Sequence, residues 1–193
     1  MIRKKFNYCV IISLLFIVAC NSNSESVLMK GDKAPNFSAK NQNGNVWNAA
    51  DYYGEYNLIV YFYPAAMTAG CTQQACSYRD SSNKLKNHDA KIVGVSGDEV
   101  ENLKIFQKEN NLNFTLLSDP DGEIAQKFGV PTYEGGQIMK EVEGQQLELT
   151  RGATHKRWTF LIDKSGVIAY RDTSVNVTQD SQNILEVLQK IEE

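Results

Sequence analysis

The six residues Leu58-Ile59-Val60-Tyr61-Phe62-Tyr63 run without a polar interruption. A strand with one face in water alternates apolar and polar residues. An unbroken run rich in β-branched and aromatic side chains instead describes a strand buried on both faces. Such a strand needs a layer above and a layer below it, and around a parallel sheet those layers are helical. Pro64 ends the run. A loop follows, and Cys71 to about Lys86 reads as a helix. Lys91 to Ser96, with Ile92, Val93 and Val95, reads as the next strand. The expectation is a parallel pair joined by the helix as a right-handed crossover.

The remaining segments extend that frame. Glu99 to Asn110 places Val100, Leu103 and Phe106 on one helical face, and leaves Glu101, Lys104 and Lys108 on a solvated one. Phe114 to Leu117 reads as a third strand, ended by Ser118-Asp119-Pro120-Asp121-Gly122, and Ile124, Ala125 and Phe128 suggest a short helix. Trp158–Ile162 and Val167–Tyr170 flank Asp163-Lys164-Ser165-Gly166, a hairpin signal. Ile184, Val187, Leu188 and Ile191 recur at helical spacing. Residues 131–156 read as a polar, Gly- and Glu-rich excursion. The predicted fold class is α/β, a central mixed β-sheet flanked by helices, in one domain over residues 31–193. Tyr63 and Trp158 are assigned to its core.

The N-terminus has a different character. Arg3, Lys4 and Lys5 precede an apolar run from about Tyr8 to Ala19, which is short for a membrane span and has the length of a signal-peptide core. It ends in Ile17-Val18-Ala19-Cys20, which resembles the lipobox of bacterial lipoproteins. That resemblance implies a signal peptide over residues 1–19, lipidation of Cys20, and a tether over residues 20–30 that begins with the small, polar Asn21–Ser26. An ordinary signal peptide or an uncleaved anchor would share the layout. On the lipoprotein reading the chain is exported and held on a membrane by its lipid anchor. By analogy with enteric bacteria, where an aspartate there would signal retention, Asn21 points to the outer membrane; a periplasm-facing placement is the expectation, with surface exposure left open. The signal carries three basic residues and no acidic ones, so its loss takes the net charge from −3 to −6. With no basic cluster left, a nucleic-acid partner is not expected.

Of the four cysteines, Cys71 and Cys76 remain in the domain once Cys9 and Cys20 are assigned to the leader. A thiol at a helix start meets the positive end of the helix dipole, which favours its reactive thiolate form. Thr68 brings a hydroxyl near, Gly70 allows close backbone approach, and Pro64 fixes the loop entry. Each has an ordinary use as well: Thr68 as a helix cap, Pro64 as strand punctuation. On an intact helix, residues five apart have Cα atoms about 8.5 Å apart, beyond disulfide reach. A Cys71–Cys76 disulfide therefore requires local unwinding, which suits a catalytic cycle better than a structural staple. Zinc wants four close ligands, and His88 and His155 lie far off in sequence. No cofactor is expected.

The segment Pro64-x-x-x-Thr68-x-x-Cys71 resembles the active-site signature of peroxiredoxins, and Cys76 sits at the resolving position of their Q-type, or bacterioferritin comigratory protein, subgroup. Gly31–Phe37, Val93–Asp98, Leu116–Gly122, Phe128–Val130 and Arg157–Asp163 resemble further family segments in the same order. The resemblance implies a thioredoxin-like fold and a thiol-dependent peroxidase acting on hydrogen peroxide and organic hydroperoxides. Cys71 would be the attacking thiol and Cys76 its intramolecular disulfide partner. Thr68 and Arg157 would hold the peroxide and the thiolate, and Pro64 would shield the site. A thioredoxin-like reductant and a monomeric state are also implied. Ala69 stands where a proline is common and Gln74 where a glutamate is usual, and the 131–156 segment is longer than the family's connection. An exported thiol–disulfide oxidoreductase or a copper-binding lipoprotein of the same fold would share much of this pattern. The absence of a Cys-x-x-Cys pair speaks against the first, and the lack of a close histidine against the second.

Overall fold

The computed structural model describes residues 28–192, so the readings on residues 1–19 and on Cys20 lie outside the described residues. The apolar run forms β3 (Asn57–Phe62), all of it buried. Two short strands precede it, β1 (Ser38–Lys40) and β2 (Val46–Asn48), paired antiparallel. After β3 come α1 (Ala69–Lys86), β4 (Ala90–Ser96), α2 (Val100–Glu109), β5 (Thr115–Ser118) and α3 (Glu123–Lys127). Two long strands follow, β6 (Thr132–Val142) and β7 (Gln145–His155), then β8 (Trp158–Ile162), β9 (Ile168–Asp172) and α4 (Asp180–Ile191).

The central sheet has the order β5-β4-β3-β8-β9. β3 pairs parallel with β4 and β4 with β5, whereas β8 runs antiparallel to both β3 and β9. This is a mixed sheet of the thioredoxin-like kind. Because side chains alternate along β3, its two faces feed two separate cores. Ile59 and Tyr61 pack with Tyr78 and Leu85 of α1, Leu103 and Phe106 of α2, and Ile184 and Leu188 of α4. Leu58, Val60 and Phe62 pack on the other side with Phe37, Trp47, Ile124, Phe128 and Phe160. Trp158 belongs to this second core and Tyr63 to the first. On α2, Glu101, Lys104 and Lys108 are exposed.

Residues 131–156 turn out to be regular. β6 and β7 form a two-stranded antiparallel ribbon turned by Glu143 and Gly144, with φ of 50° and 79°. Two consecutive positive φ values make a turn whose twist matches that of the flanking strands. The root of the ribbon docks beside the carboxyl ends of β4 and β5: Gly152 N–H donates to the Gly97 carbonyl at 3.0 Å, and the Asn102 side chain to the Thr150 carbonyl at 2.6 Å. A side chain at Gly97 would run into the Ala153 carbonyl, so this close approach of two backbones needs glycine.

Candidate active site

Cys71 lies in the first turn of α1, is 2% exposed, and belongs to the first core together with Tyr63, Ala66 and Ala75. The helix starts two residues earlier than expected, so Gly70 lies inside it. A Cβ there would stand 3.6 Å from Arg157 Nη2, an ordinary contact, and the close approach foreseen for Gly70 is not required. The first intrahelical bond is Thr72 N–H to the Thr68 carbonyl. The amides of Ala69, Gly70 and Cys71 thus precede the helix ladder, which makes this end of α1 a set of forward-pointing donors.

Thr68 occupies the N-cap position in extended conformation, yet its hydroxyl does not cap. It donates to the Ala65 carbonyl at 2.9 Å. With its proton so committed, Thr68 Oγ1 has lone pairs to offer a donor. The loop from Pro64 is braced from β4: Ala66 N–H and Ser96 Oγ each donate to Asp98 Oδ2 at 2.8 Å. Burial pushes the Asp98 carboxyl above its ordinary range, and these hydrogen bonds work against that. Met67 in the same loop has φ 61°, and the Asn110 amide lies 3.8 Å from its sulfur.

Arg157 lies in the link between β7 and β8, 86 residues from Cys71, and its Nη2 donates to Cys71 Sγ at 3.2 Å. Its Nη1 donates to Gln74 Oε1 through a short hydrogen bond. Gln74 is fully buried, and its Nε2 continues to Asp180 Oδ2 at 2.7 Å. Tyr78 and Thr159 hydroxyls donate to the same oxygen at 2.7 and 2.9 Å. Burial raises the Asp180 carboxyl, opposed by these three donors. Tyr61, Tyr63 and Tyr78 are pushed well above the tyrosine range, chiefly by burial, and so remain neutral donors or packing groups.

Cys76 is half-buried on α1, and both cysteines are free thiols. Of the expected residues, the fold brings Cys71, Arg157 and Thr68 to one end of α1, with the Pro64 loop leading into it. Asp180 and Asp98 were not singled out in the sequence. An acidic residue in the first turn of a helix is the ordinary complement of the dipole, which is what Asp180 looks like on paper. The two histidines are engaged elsewhere: His88 Nδ1 lies 2.8 Å from Glu192, and buried His155 Nε2 lies 3.3 Å from Asp119 Oδ2. Among the described residues, no group of three or more His, Cys, Asp or Glu gathers that could hold a metal ion.

Residues 30–171 match the model of the AhpC/TSA family. Peroxiredoxin Bcp of Escherichia coli (strain K12) is 47% identical over 143 residues, which cover 74% of this chain and 84% of that protein. Chloroplastic peroxiredoxin Q of Oryza sativa subsp. japonica is 38% identical over 73% of this chain, a match that spans 57% of its own length. Among solved structures, peroxidoxin BcpB from Mycobacterium tuberculosis superposes with a TM-score of 0.72 at 27% identity, covering 86% of this chain and 99% of that one. The bacterioferritin comigratory protein of Xanthomonas campestris, described for its alkyl peroxide reduction activity, superposes at 0.66 with 25% identity over 81% of this chain and 92% of its own. The chain belongs to the AhpC/TSA family, in its peroxiredoxin Q/Bcp group.

Proposed function

We propose that this protein is a thiol-dependent peroxidase that reduces hydrogen peroxide and organic hydroperoxides through Cys71 and Cys76. The observation that carries the reading is the guanidinium of Arg157, 3.2 Å from a thiol seated in the first turn of a helix. A charge-assisted donor of this kind is aimed where negative charge develops as an O–O bond breaks. The names of the relatives agree with it.

In the proposed cycle Cys71 thiolate attacks one peroxide oxygen. The O–O bond breaks, the distal oxygen leaves as alkoxide or hydroxide and takes up a proton, and Cys71 becomes a sulfenic acid. Thr68 Oγ1 accepts the peroxide O–H, and the helix-start amides donate to the oxygens. Residues 71–76 then unwind, and Cys76 condenses with the sulfenic acid to form the disulfide and release water. An external thioredoxin-like dithiol returns both thiols by exchange, itself becoming a disulfide. The monomer state, which rests on family resemblance, and the placement as an exported lipoprotein anchored at Cys20, which rests on the leader sequence, are part of the same proposal.

The test is peroxide consumption with dithiothreitol by wild type, Cys71→Ser and Cys76→Ser, with thiol counts and intact mass at each end point. Turnover in wild type, its loss in Cys71→Ser and a trapped sulfenic acid in Cys76→Ser are expected. Wild-type consumption no faster than dithiothreitol alone would overturn the assignment.

A further inference from the structure

Asp180 is fully buried at the start of α4, 106 residues from Gln74 in the chain, and its two oxygens are treated unequally. Oδ2 accepts from Gln74, Tyr78 and Thr159, while Oδ1 has no partner. A buried carboxyl with one bare oxygen is an expensive feature, and packing alone would be served as well by an apolar side chain. The explanation lies one step along the chain of hydrogen bonds. An amide has a donor end and an acceptor end, and Gln74 stands between a group that only donates, Arg157, and an oxygen that accepts. Only one orientation of the amide satisfies both. Turned the other way, its NH2 would face the guanidinium, donor against donor.

We propose that Asp180 is a positioning residue for the peroxidase site: by accepting from Gln74 Nε2 it turns the amide so that Oε1 faces Arg157, and thereby holds the guanidinium on Cys71 Sγ. The negative partner of the arginine is thus displaced from position 74 to position 180, on another helix, with a neutral amide as the coupler. This rests on the peroxidase reading for its rate measurement only. The orientation of Arg157 on Cys71 is read independently by thiol chemistry.

The charged and titratable groups that act on Cys71 or on its relay are Arg157 from the β7–β8 link, Asp180 from α4, Tyr61 from β3 and Tyr63 just after it, and Tyr78 and Cys76 from α1. The experiment measures alkylation of Cys71 by iodoacetamide across pH 5 to 9 in the full chain, resolved from the other cysteines by peptide mass spectrometry. Peroxide turnover is measured in parallel. Asp180→Ala frees the Gln74 amide, and the alkylation profile should move to higher pH, with the neutral-pH rate falling about tenfold. Loss of a nearby carboxylate would by charge alone move it to lower pH, so the direction separates loss of the arginine from loss of a charge. Peroxide kcat/KM should fall about thirtyfold, as expected for a misplaced catalytic donor.

Gln74→Glu should also slow both reactions, because it sets one carboxylate against another. The double variant Gln74→Glu/Asp180→Asn restores donor-to-acceptor pairing between positions 74 and 180, with the Tyr78 and Thr159 hydroxyls turned to accept from or donate past the new NH2, and should recover at least half of the lost alkylation rate. An Asp180→Ala profile that is unmoved or shifted to lower pH would overturn the proposal, and so would a double variant no faster than Gln74→Glu. A peroxidase failure with the alkylation results intact would overturn the function instead of the relay.

Discussion

Arg157→Lys separates two things the arginine does. The native guanidinium uses one nitrogen on Gln74 Oε1 and another on Cys71 Sγ. Lysine keeps the charge and has a single nitrogen, so it cannot serve both partners from one planar fork. Engaged at Gln74, its ammonium would stand about 5 Å from the sulfur. At an effective dielectric constant of about 20, suited to a half-buried site, a unit-charge pair at 3.2 Å is worth about 5 kcal/mol, and at about 5 Å about 3 kcal/mol. The difference of about 2 kcal/mol corresponds to about thirtyfold in rate. Removal of the charge in Arg157→Gln should cost more, about 10²- to 10³-fold, the loss typical of a preorganised donor at developing negative charge. The assay is the initial rate of peroxide consumption at peroxide well below KM, with dithiol in excess, so that kcat/KM is read directly. If Arg157→Lys stays within threefold of wild type while Arg157→Gln collapses, charge alone suffices and the two-pronged geometry has no kinetic meaning.

Three further outcomes follow from other parts of the molecule. Gly97→Ala drives a methyl into the Ala153 carbonyl and should destabilise the fold by about 3 kcal/mol, read as a lowered urea midpoint; an unchanged midpoint would mean the ribbon docks more loosely than described. Burial lowers His155 from 6.5 to about 4 and raises Asp119 from 3.8 to about 6, so their contributions oppose each other. Folded His155 sheds the proton that the unfolded chain holds between about pH 4 and 6.5, so its contribution to stability is lost as pH falls. Folded Asp119 holds a proton the unfolded chain has released between pH 3.8 and about 6, so its contribution is lost as pH rises. In His155→Gln the histidine contribution is absent, and the stability gap to wild type should close by about 2 kcal/mol between pH 6.5 and 4.5 in urea unfolding; a gap independent of pH contradicts the neutral buried histidine. Finally, cells fed radiolabelled palmitate should label wild type and not Cys20→Ser, and label retained by the variant would end the lipoprotein reading.

What was legible in the sequence follows from how each signal is encoded. β3 shows itself because both its faces are buried, and β8 falls on the expected Trp158–Ile162 for the same reason. α4 is marked by its apolar spacing, although the helix begins at Asp180, a turn ahead of the first apolar marker. The β6–β7 ribbon leaves no such mark. Most of its residues stay exposed or half-buried on both faces, so the apolar alternation that betrays a strand is missing, and its Glu143-Gly144 turn is weaker than an Asn-Gly or Asp-Gly signal. At the site, Cys71 and Cys76 stand out locally as two thiols on the helix that follows the buried strand, whereas a role for Thr68 rests on family likeness. Arg157 comes only from family likeness, because nothing local says that residues 86 apart will meet. Asp180 was out of reach on both counts: its role depends on Gln74, a departure from the family pattern whose partner appears only when α4 is packed on α1.

The polar anchors of α1 are unevenly placed, and this bears on how, in the proposed cycle, one helix would both attack peroxide and resolve the product. From Ser77 onward the helix is tied on two sides. Ser77 and Ser81 meet Ser181, Tyr78 meets Asp180, and Arg79 donates to the Asn110 carbonyl at the end of α2. From Ala69 to Cys76 the side-chain ties to other elements run through Gln74 and the Arg157–Cys71 contact, while Cys76 meets Arg79 of its own helix. The unwinding proposed to bring Cys71 to Cys76 would therefore have a natural stop at Ser77 and would break the Gln74 relay on the way. On the proposed cycle, breaking it would take the new sulfenic acid away from the arginine assigned to favour its formation. A stronger relay would then speed attack on peroxide and delay the disulfide, leaving the sulfenic acid longer in reach of a second peroxide and further oxidation. A weaker relay would do the reverse. A neutral amide at position 74, held by a carboxylate it does not itself carry, is a coupler that can let go without stranding a charge of its own in the core.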